Sequence, residues 1–343
     1  MTWSQQSNQF QRVYIYFKVN NEEDTMKTPI LSVVIPTYNR LAYLKQTLDV
    51  LLPQVTDEVE VIISDNCSPD ATWEYLEMLE GKVQRFRQET NVGADKNIVS
   101  CLSRGQGKYV WLLCDDDLPC SNAIESLLKA IREFDHPPIL ILKSQWYDFK
   151  HTPYDSAPVH TEWHSFGRDQ YLEHISYFFA VCSGIVVCRD RVDNDFIQKW
   201  IGTFHTPAAI VLSTVGKSNQ AVVSDRPLMI CRGGGSGGYD ALTVFSKNML
   251  DLFKACAGMG YSRRVMERVY DEELRDHMPC LIRNWPITMR GLSNLIISSY
   301  RFKSFYTAVI PVLLKVIFMK IYFILRLYPI NQLRKLKKKR KIL

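Results

Sequence analysis

Three features of the chain predict an α/β fold built on a mostly parallel, Rossmann-like sheet flanked by helices. From Ile30 onward, short apolar runs alternate with helical patterns, the rhythm of strands joined by crossover helices. Three polar segments, 36–40, 64–66 and 115–117, follow directly on such runs, and parallel sheets bind ligands beyond the carboxyl ends of their strands. With 343 residues and 46% hydrophobic content, the chain can bury one large core or two modest ones.

Taken in order, residues 1–26 are polar and aperiodic and read as a leader. Strands are expected at 31–35, 59–64, 83–87 and 109–114, with helices starting at Leu41, Asp70 and Ala94 between them. Beyond Pro137 the pattern loosens, with strands expected at 139–142, 181–187 and 228–232 and a helix at 207–215. The organisation expected is a sheet domain over 27–235, with a nucleotide half (27–120) and an acceptor half (121–235), then a linker and helical segment (236–300) and a basic tail (301–343). Glycines crowd positions 233–238, either as a mobile lid or as a plain linker, and Arg232 at its root is placed to meet a diphosphate.

Several function classes are excluded by what the sequence lacks. No G-x-G-x-x-G follows the first strand and no G-x-x-x-x-G-K-[ST] occurs, so neither a standard dinucleotide site nor a P-loop is expected. The nine cysteines show no metal-ligand spacing and read as reduced thiols of a cytosolic protein. The net charge of +6 hides a split: beyond Asp276 stand 14 Lys or Arg and no acid, leaving 28 basic against 36 acidic residues before it. An acidic body with a basic tail argues against a nucleic-acid partner.

The chemistry concentrates at Asp115, Asp116 and Asp117. Adjacent carboxylates repel one another and resist desolvation, so a cation is expected to offset them, with Mg²⁺ or Mn²⁺ carrying a nucleotide diphosphate the natural candidate. Asp65, at another strand end, can only accept hydrogen bonds when ionised. It suits the amine of cytosine, the ring N–H of uracil or the paired donors of guanine, and does not choose among them.

The ordered runs Leu31-Ser-Val-Val-Ile-Pro-Thr-Tyr-Asn-Arg40, Val61-Ile-Ile-Ser-Asp-Asn66 and Asn91-Val-Gly-Ala-Asp-Lys-Asn97, followed by the acidic trio, closely resemble family 2 of the glycosyltransferases over residues 30–235. The resemblance implies a GT-A fold, with the donor nucleotide near Thr37, Tyr38 and Asp65 and with Arg40 close by. It implies a tight bend at Gly93 beside the donor and a phosphate-attracting charge at Lys96, where the family usually has Arg. The family's acidic motif begins with Asp where this chain has Cys114, whose soft thiol suits Mg²⁺ or Mn²⁺ poorly and is expected to be structural. Asp117 is then the expected metal ligand and a catalytic residue, and Asp116 falls where the family contacts the ribose or the metal shell. Asp115 is the second candidate ligand and the member of the trio most readily incidental.

Family members generally invert the sugar by direct displacement, which requires a base for the acceptor hydroxyl. The usual Glu-Asp pair is missing from 202–206, where His205 is the titratable side chain; it is the candidate base, a structural histidine being the competing reading, with Asp193 and Asp195 in reserve. Residues 200–203 and 226–232 are also similar to abequosyltransferases. That finer likeness implies a dideoxyhexose such as abequose, carried by CDP and placed on a polyprenyl-diphosphate-linked glycan during O-antigen synthesis. A UDP-, GDP- or dTDP-sugar donor is the alternative, and so is a non-catalytic membrane-surface module.

In the tail, residues 306–328 are apolar but interrupted by Lys315, Lys320 and Arg326, too often for a span of ~18 residues. The helical spacing puts the three cations on one half of an interfacial helix. Seven basic residues between Arg334 and Lys341 follow, an expected C-terminal, membrane-associating extension on an anionic surface. The location implied is peripheral, on the cytoplasmic face of the bacterial inner membrane.

Overall fold

The computed structural model of the chain describes residues 28–147, 159–232 and 238–327. The leader, the glycine run 233–237 and the basic residues 334–341 lie outside the described residues. The described chain divides into two compact units, the first of residues up to 164 with 181–202 and 222–233, the second of 165–180, 203–221 and 234 onward. Segments from the expected acceptor half therefore contribute to both units.

The first unit opens β1 (Leu31–Thr37), α1 (Leu41–Leu51), β2 (Val59–Asp65), α2 (Thr72–Glu77), β3 (Gln84–Arg87), α3 (Ala94–Leu102) and β4 (Tyr109–Leu112). It continues through β5 (Leu118–Pro119), α4 (Ala123–Glu133), β6 (Ile139–Tyr147) and β7 (Trp163–Phe166), which leads into α5 (Arg168–Ile175) of the second unit. After α5 come β8 (Ile185–Cys188), α6 (Asn194–Gln198), α7 (Thr206–Ser218) and β9 (Ala221–Arg232). The strands run in the order β3-β2-β1-β4-β8-β6-β9-β5, with β7 on β9. β1 to β4 are mutually parallel, whereas β8 lies antiparallel to both β4 and β6, so the sheet is mixed beyond β4.

Strand alternation explains the core. Leu31, Val33 and Ile35 of β1 face one layer with Leu44, Leu48 and Leu51 of α1, while Val34 faces the other with Ile62, Ile98, Cys101 and Leu112. Because both faces are covered by helices, these strands read as continuous apolar runs instead of alternating ones. Trp111 is wholly buried, and its Nε1 donates to the carbonyl of Ser183 at 2.8 Å, so core packing also positions a site loop. The strand expected at 181–187 begins as a tight turn and pairs only from Ile185. Gly184 is required there, since a Cβ would fall 2.5 Å from the carbonyl oxygen of Leu142. β5 and β7, two and four residues long, were too short to be read from periodicity.

The second unit adds α8 (Ala241–Thr243), α9 (Met249–Cys256), α10 (Arg263–Glu272), α11 (Met278–Asn284), α12 (Met289–Ser299) and α13 (Ile310–Leu327). Three π-helical turns interrupt the series, at Val244–Asn248, Glu273–His277 and Phe305–Val309. At the end of the unit, Val309, Leu313 and Val316 form a buried stripe, whereas Leu314, Ile317, Phe318, Met319 and Tyr322 are exposed together with Lys315. The apolar surface expected to face outward is thus divided, one stripe going into the unit's own core.

Candidate active site

Thr37 and Asp65 face each other in the β1–β2 register, and β1 pairs Val34 with Leu112 of β4. Continuing that register past the strand end brings Thr37 opposite Asp115, and its Oγ1 donates to Asp115 Oδ2 at 2.7 Å. Arg40, just before α1, reaches Asp115 Oδ1 at 3.2 Å and Asp116 Oδ2 at 2.7 Å through one guanidinium nitrogen. Thr47 of α1 donates to the carbonyls of both Asp115 and Asp117 at 3.0 Å, which fastens the turn carrying the trio.

Asp117 points to different partners. Its Oδ2 accepts from Ser183 Oγ at 2.5 Å and its Oδ1 from the backbone N–H of Arg232 at 2.9 Å. Ser183 Oγ in turn accepts from the backbone N–H of Cys114 at 3.0 Å. Burial pushes both Asp115 and Asp117 up to about 6; Arg40 opposes this at Asp115, while the neighbouring Asp116 charge adds to it at both. Arg232 stacks its guanidinium over Tyr43, 4.5 Å from the ring centroid, and donates to Gln46 at 2.8 Å.

A divalent cation fits one side of this network. Cys114 Sγ and carboxylate oxygens of Asp116 and Asp117 lie within 4.8 Å of one another. A hard cation takes the two carboxylates and leaves the thiol, which packs against Cys182 and is held protonated by that contact and by burial. Asp115 is a correction to the expected ligand pair: it lies outside that cluster, where Asp116 stands beside Asp117, and its oxygens are held by Thr37 and by the Arg40 guanidinium.

On the β2 side, Asp65 is fully buried, with Oδ1 accepting from Ser68 N–H at 3.0 Å. Its Oδ2 lies 3.3 Å from Arg87 Nε yet lacks a hydrogen bond, an acceptor left available at a strand end. Asn66 ties this end to the next loop, donating to Asn91 and accepting from Val92 N–H, both at 2.9 Å. Gly93 follows at φ +88°, a left-handed bend that permits α3 to start there. Tyr38 and Lys96 are exposed.

His205 does not have the environment of a base. It belongs to the second unit, where its buried ring holds Nε2 2.9 Å from the carbonyl of Val244. Burial lowers it to about 4, so it is a neutral, structural histidine with one nitrogen committed to backbone. Of the reserves, Asp193 accepts from Phe196 N–H as the cap of α6, and Asp195 is exposed in the first turn of that helix.

Ser183, Thr47, Tyr43, Gln46 and Arg87 were missed by sequence reading. Arg87 alone carried a signal: it ends β3 opposite Asp65, the same strand-end position as the other site residues.

Residues 32–185 match Glycosyl transferase family 2. Abequosyltransferase RfbV of Salmonella typhimurium is 27% identical over 293 residues, covering 77% of this chain and 86% of the relative. A GalNAc(5)-diNAcBac-PP-undecaprenol beta-1,3-glucosyltransferase of Campylobacter jejuni is 30% identical over 31% of this chain and 35% of its own length. Among solved structures, residues 1–349 of S. aureus TarS with UDP-GlcNAc superpose with a TM-score of 0.55 at 18% identity, covering 78% of this chain and 79% of that one. That likeness is one of fold, and the fold is GT-A.

Proposed function

We propose that this chain, whose residues 32–185 match Glycosyl transferase family 2, is a glycosyltransferase that moves a sugar from a nucleotide-sugar donor to a polyprenyl-diphosphate-linked glycan in bacterial surface-polysaccharide synthesis. The observation that carries the reading is the pairing of Asp116 and Asp117 beyond β4, with Arg40 and Arg232 bound into the same network. RfbV, similar across most of both chains, supports O-antigen assembly and a dideoxyhexosyl donor such as CDP-abequose. The name of the C. jejuni relative supports a lipid-diphosphate acceptor.

In this reading Asp65 lies against the base, with Thr37 and Tyr38 beside it and Arg87 paired to its Oδ2. Gly93 and Lys96 border the donor, and Arg232 meets the diphosphate from the stack on Tyr43. Asp116 and Asp117 would hold Mg²⁺ or Mn²⁺, whose charge would offset that of the departing diphosphate. Arg40 pairs with Asp115 and Asp116 and orients both, so that this side of the site is arranged before substrate arrives.

Membrane contact belongs to the same proposal. Among the described residues no helix is long and apolar enough to cross a bilayer. Exposed Ile297, Leu314, Phe318 and Tyr322, followed in the sequence by the basic run 334–341, suit a peripheral position on an anionic leaflet at the cytoplasmic face.

The test is a panel of nucleoside diphosphates, each with Mn²⁺, read by melting temperature, then slow hydrolysis of the matching nucleotide sugars. One base is expected to raise the melting temperature well above the others. A panel with no Mn²⁺-dependent shift and no hydrolysis of any donor would sink the reading.

A further inference from the structure

We propose that the second unit carries a subsite for a pyranose ring of the acceptor glycan, formed by a ribbon of aromatic rings around His277. The inference rests on the transfer reaction proposed above and adds where the acceptor is held.

The ribbon is continuous. Phe204 and Tyr239 have ring centroids 4.9 Å apart, Tyr239 and Phe245 6.4 Å, and Phe245 meets His277 edge-on at 4.9 Å. His277 then stacks parallel to Tyr177 at 5.9 Å, and Tyr177 contacts Phe178 at 4.4 Å. A ribbon that only filled a core would be covered throughout, yet both ends are open: Phe204 and Phe178 are each 42% exposed, and the His277 side chain is 31% exposed.

A polar group stands at its centre. Glu273 is buried beneath, with Oε1 2.8 Å from His277 Nδ1. A carboxylate in that position accepts a hydrogen bond from Nδ1–H, fixes the ring's orientation and leaves Nε2 as the ring nitrogen turned to a ligand. Burying Glu273 is costly, and burial pushes its carboxyl above the ordinary value while His277 pulls it back. A packing histidine would not need a buried acid behind it.

The backbone is irregular wherever it supplies this ribbon. Phe204 sits at φ +60° and Ser176, which precedes Tyr177, at φ +56°, a region that L-residues seldom adopt. Phe245 comes from one π-helical turn, and Glu273 and His277 from a second. Such departures cost energy, and they concentrate where side chains must be aimed. Four of them converge on one set of rings.

The chemistry selects the ligand class. A pyranose has a face of polarised C–H bonds that suits the negative face of an aromatic ring, and an edge of hydroxyls that suits the acceptor nitrogen. Rings of Phe and Tyr bring this area with little rotamer entropy to lose. An aliphatic lipid chain would use the rings but not the His277–Glu273 pair.

The full chain is tested by saturation-transfer NMR against methyl α-glucopyranoside, galactopyranoside and mannopyranoside, with cyclohexanol as an apolar ring of similar size. Wild type is expected to saturate the ring C–H protons of at least one glycoside and not cyclohexanol. Phe178→Ala, Phe204→Ala and His277→Phe are each expected to cut the signal by about threefold or more, and Met289→Ala, exposed elsewhere on the unit, to leave it in place. No glycoside saturation at millimolar concentration, equal saturation of cyclohexanol, or a signal indifferent to both Phe178→Ala and Phe204→Ala would overturn the proposal. The two phenylalanine variants keep the test open if His277→Phe fails to fold. Nucleoside-diphosphate binding reads the first unit alone, so failure there strikes the transfer reading and is distinguishable from loss of the subsite.

Discussion

The two units make their candidate sites in opposite ways. In the first, charged side chains stand on the ends of regular parallel strands, and their positions follow from strand register: Thr37 meets Asp115 because β1 and β4 pair as they do. In the second, rings are gathered from loops and π-helical turns, at positions that no periodicity predicts. Regular backbone suits the rigid electrostatics expected around a diphosphate, whereas irregular backbone can shape a surface to one partner. Chemistry on strand ends is therefore visible early, and chemistry on broken helices is not.

The contrast can be tested, first at its largest expected effect. Asp117→Asn keeps the side chain's shape and one accepted hydrogen bond, from the Arg232 N–H, but removes charge, and donor hydrolysis is expected to fall by ~10²–10³-fold. A variant that hydrolyses donor at the wild-type rate would show that the strand-end carboxylates are ordinary turn residues.

Arg40→Ala is next, with an expected loss of about 2–4 kcal/mol in denaturant unfolding, because it strips the ion partner from two carboxylates. The sign of the pH effect follows from Asp115, whose folded value is raised to about 6 from 3.8. The folded state then binds the proton more tightly than the unfolded one, so its ionisation costs stability as pH rises through that window. Arg40 offsets that cost only while the carboxylate is charged. The variant's deficit should be larger at pH 8 than at pH 5, and an equal deficit at both would assign the loss to packing alone.

The same window governs the cation. Asp117 is raised to about 6 by burial first and Asp116 second, and a protonated carboxyl is a poor ligand. The Mn²⁺-dependent thermal shift is expected to weaken as pH falls through about 6, and Asp117→Asn should abolish that dependence.

In the second unit, replacing Ile297 and Phe318 together by Glu is expected to lower partition onto anionic vesicles by about tenfold, measured by co-sedimentation. Unchanged partition would assign that surface to another contact. The smallest effect is expected at His205, where His205→Asn should cost about 1–3 kcal/mol of stability through the lost bond to Val244 while shifting no limb of the pH–rate profile. A vanished acidic limb would restore His205 as the proton acceptor.

The amino-acid sequence by itself determined the parallel strands of the first unit and the strand-end positions of its candidate site residues. Apolar runs of strand length announce buried parallel strands, and residues directly after them must emerge at one edge, so Thr37, Arg40, Asp65 and the trio were placed by arithmetic along the chain. Which carboxylates are grouped where a cation could sit was decided only by tertiary structure. Asp115, Asp116 and Asp117 are chemically identical, and their roles separate because Thr37 and Arg40 claim the first while Ser183 and the Arg232 backbone orient the last. The same holds for the histidines: His205 and His277 look alike as letters, but one ring is committed to a backbone carbonyl in the interior and the other is half-exposed over a buried glutamate. Local pattern fixes where a side chain leaves the backbone, whereas its burial and partners come from segments far away in the chain, and those decide its charge and its use.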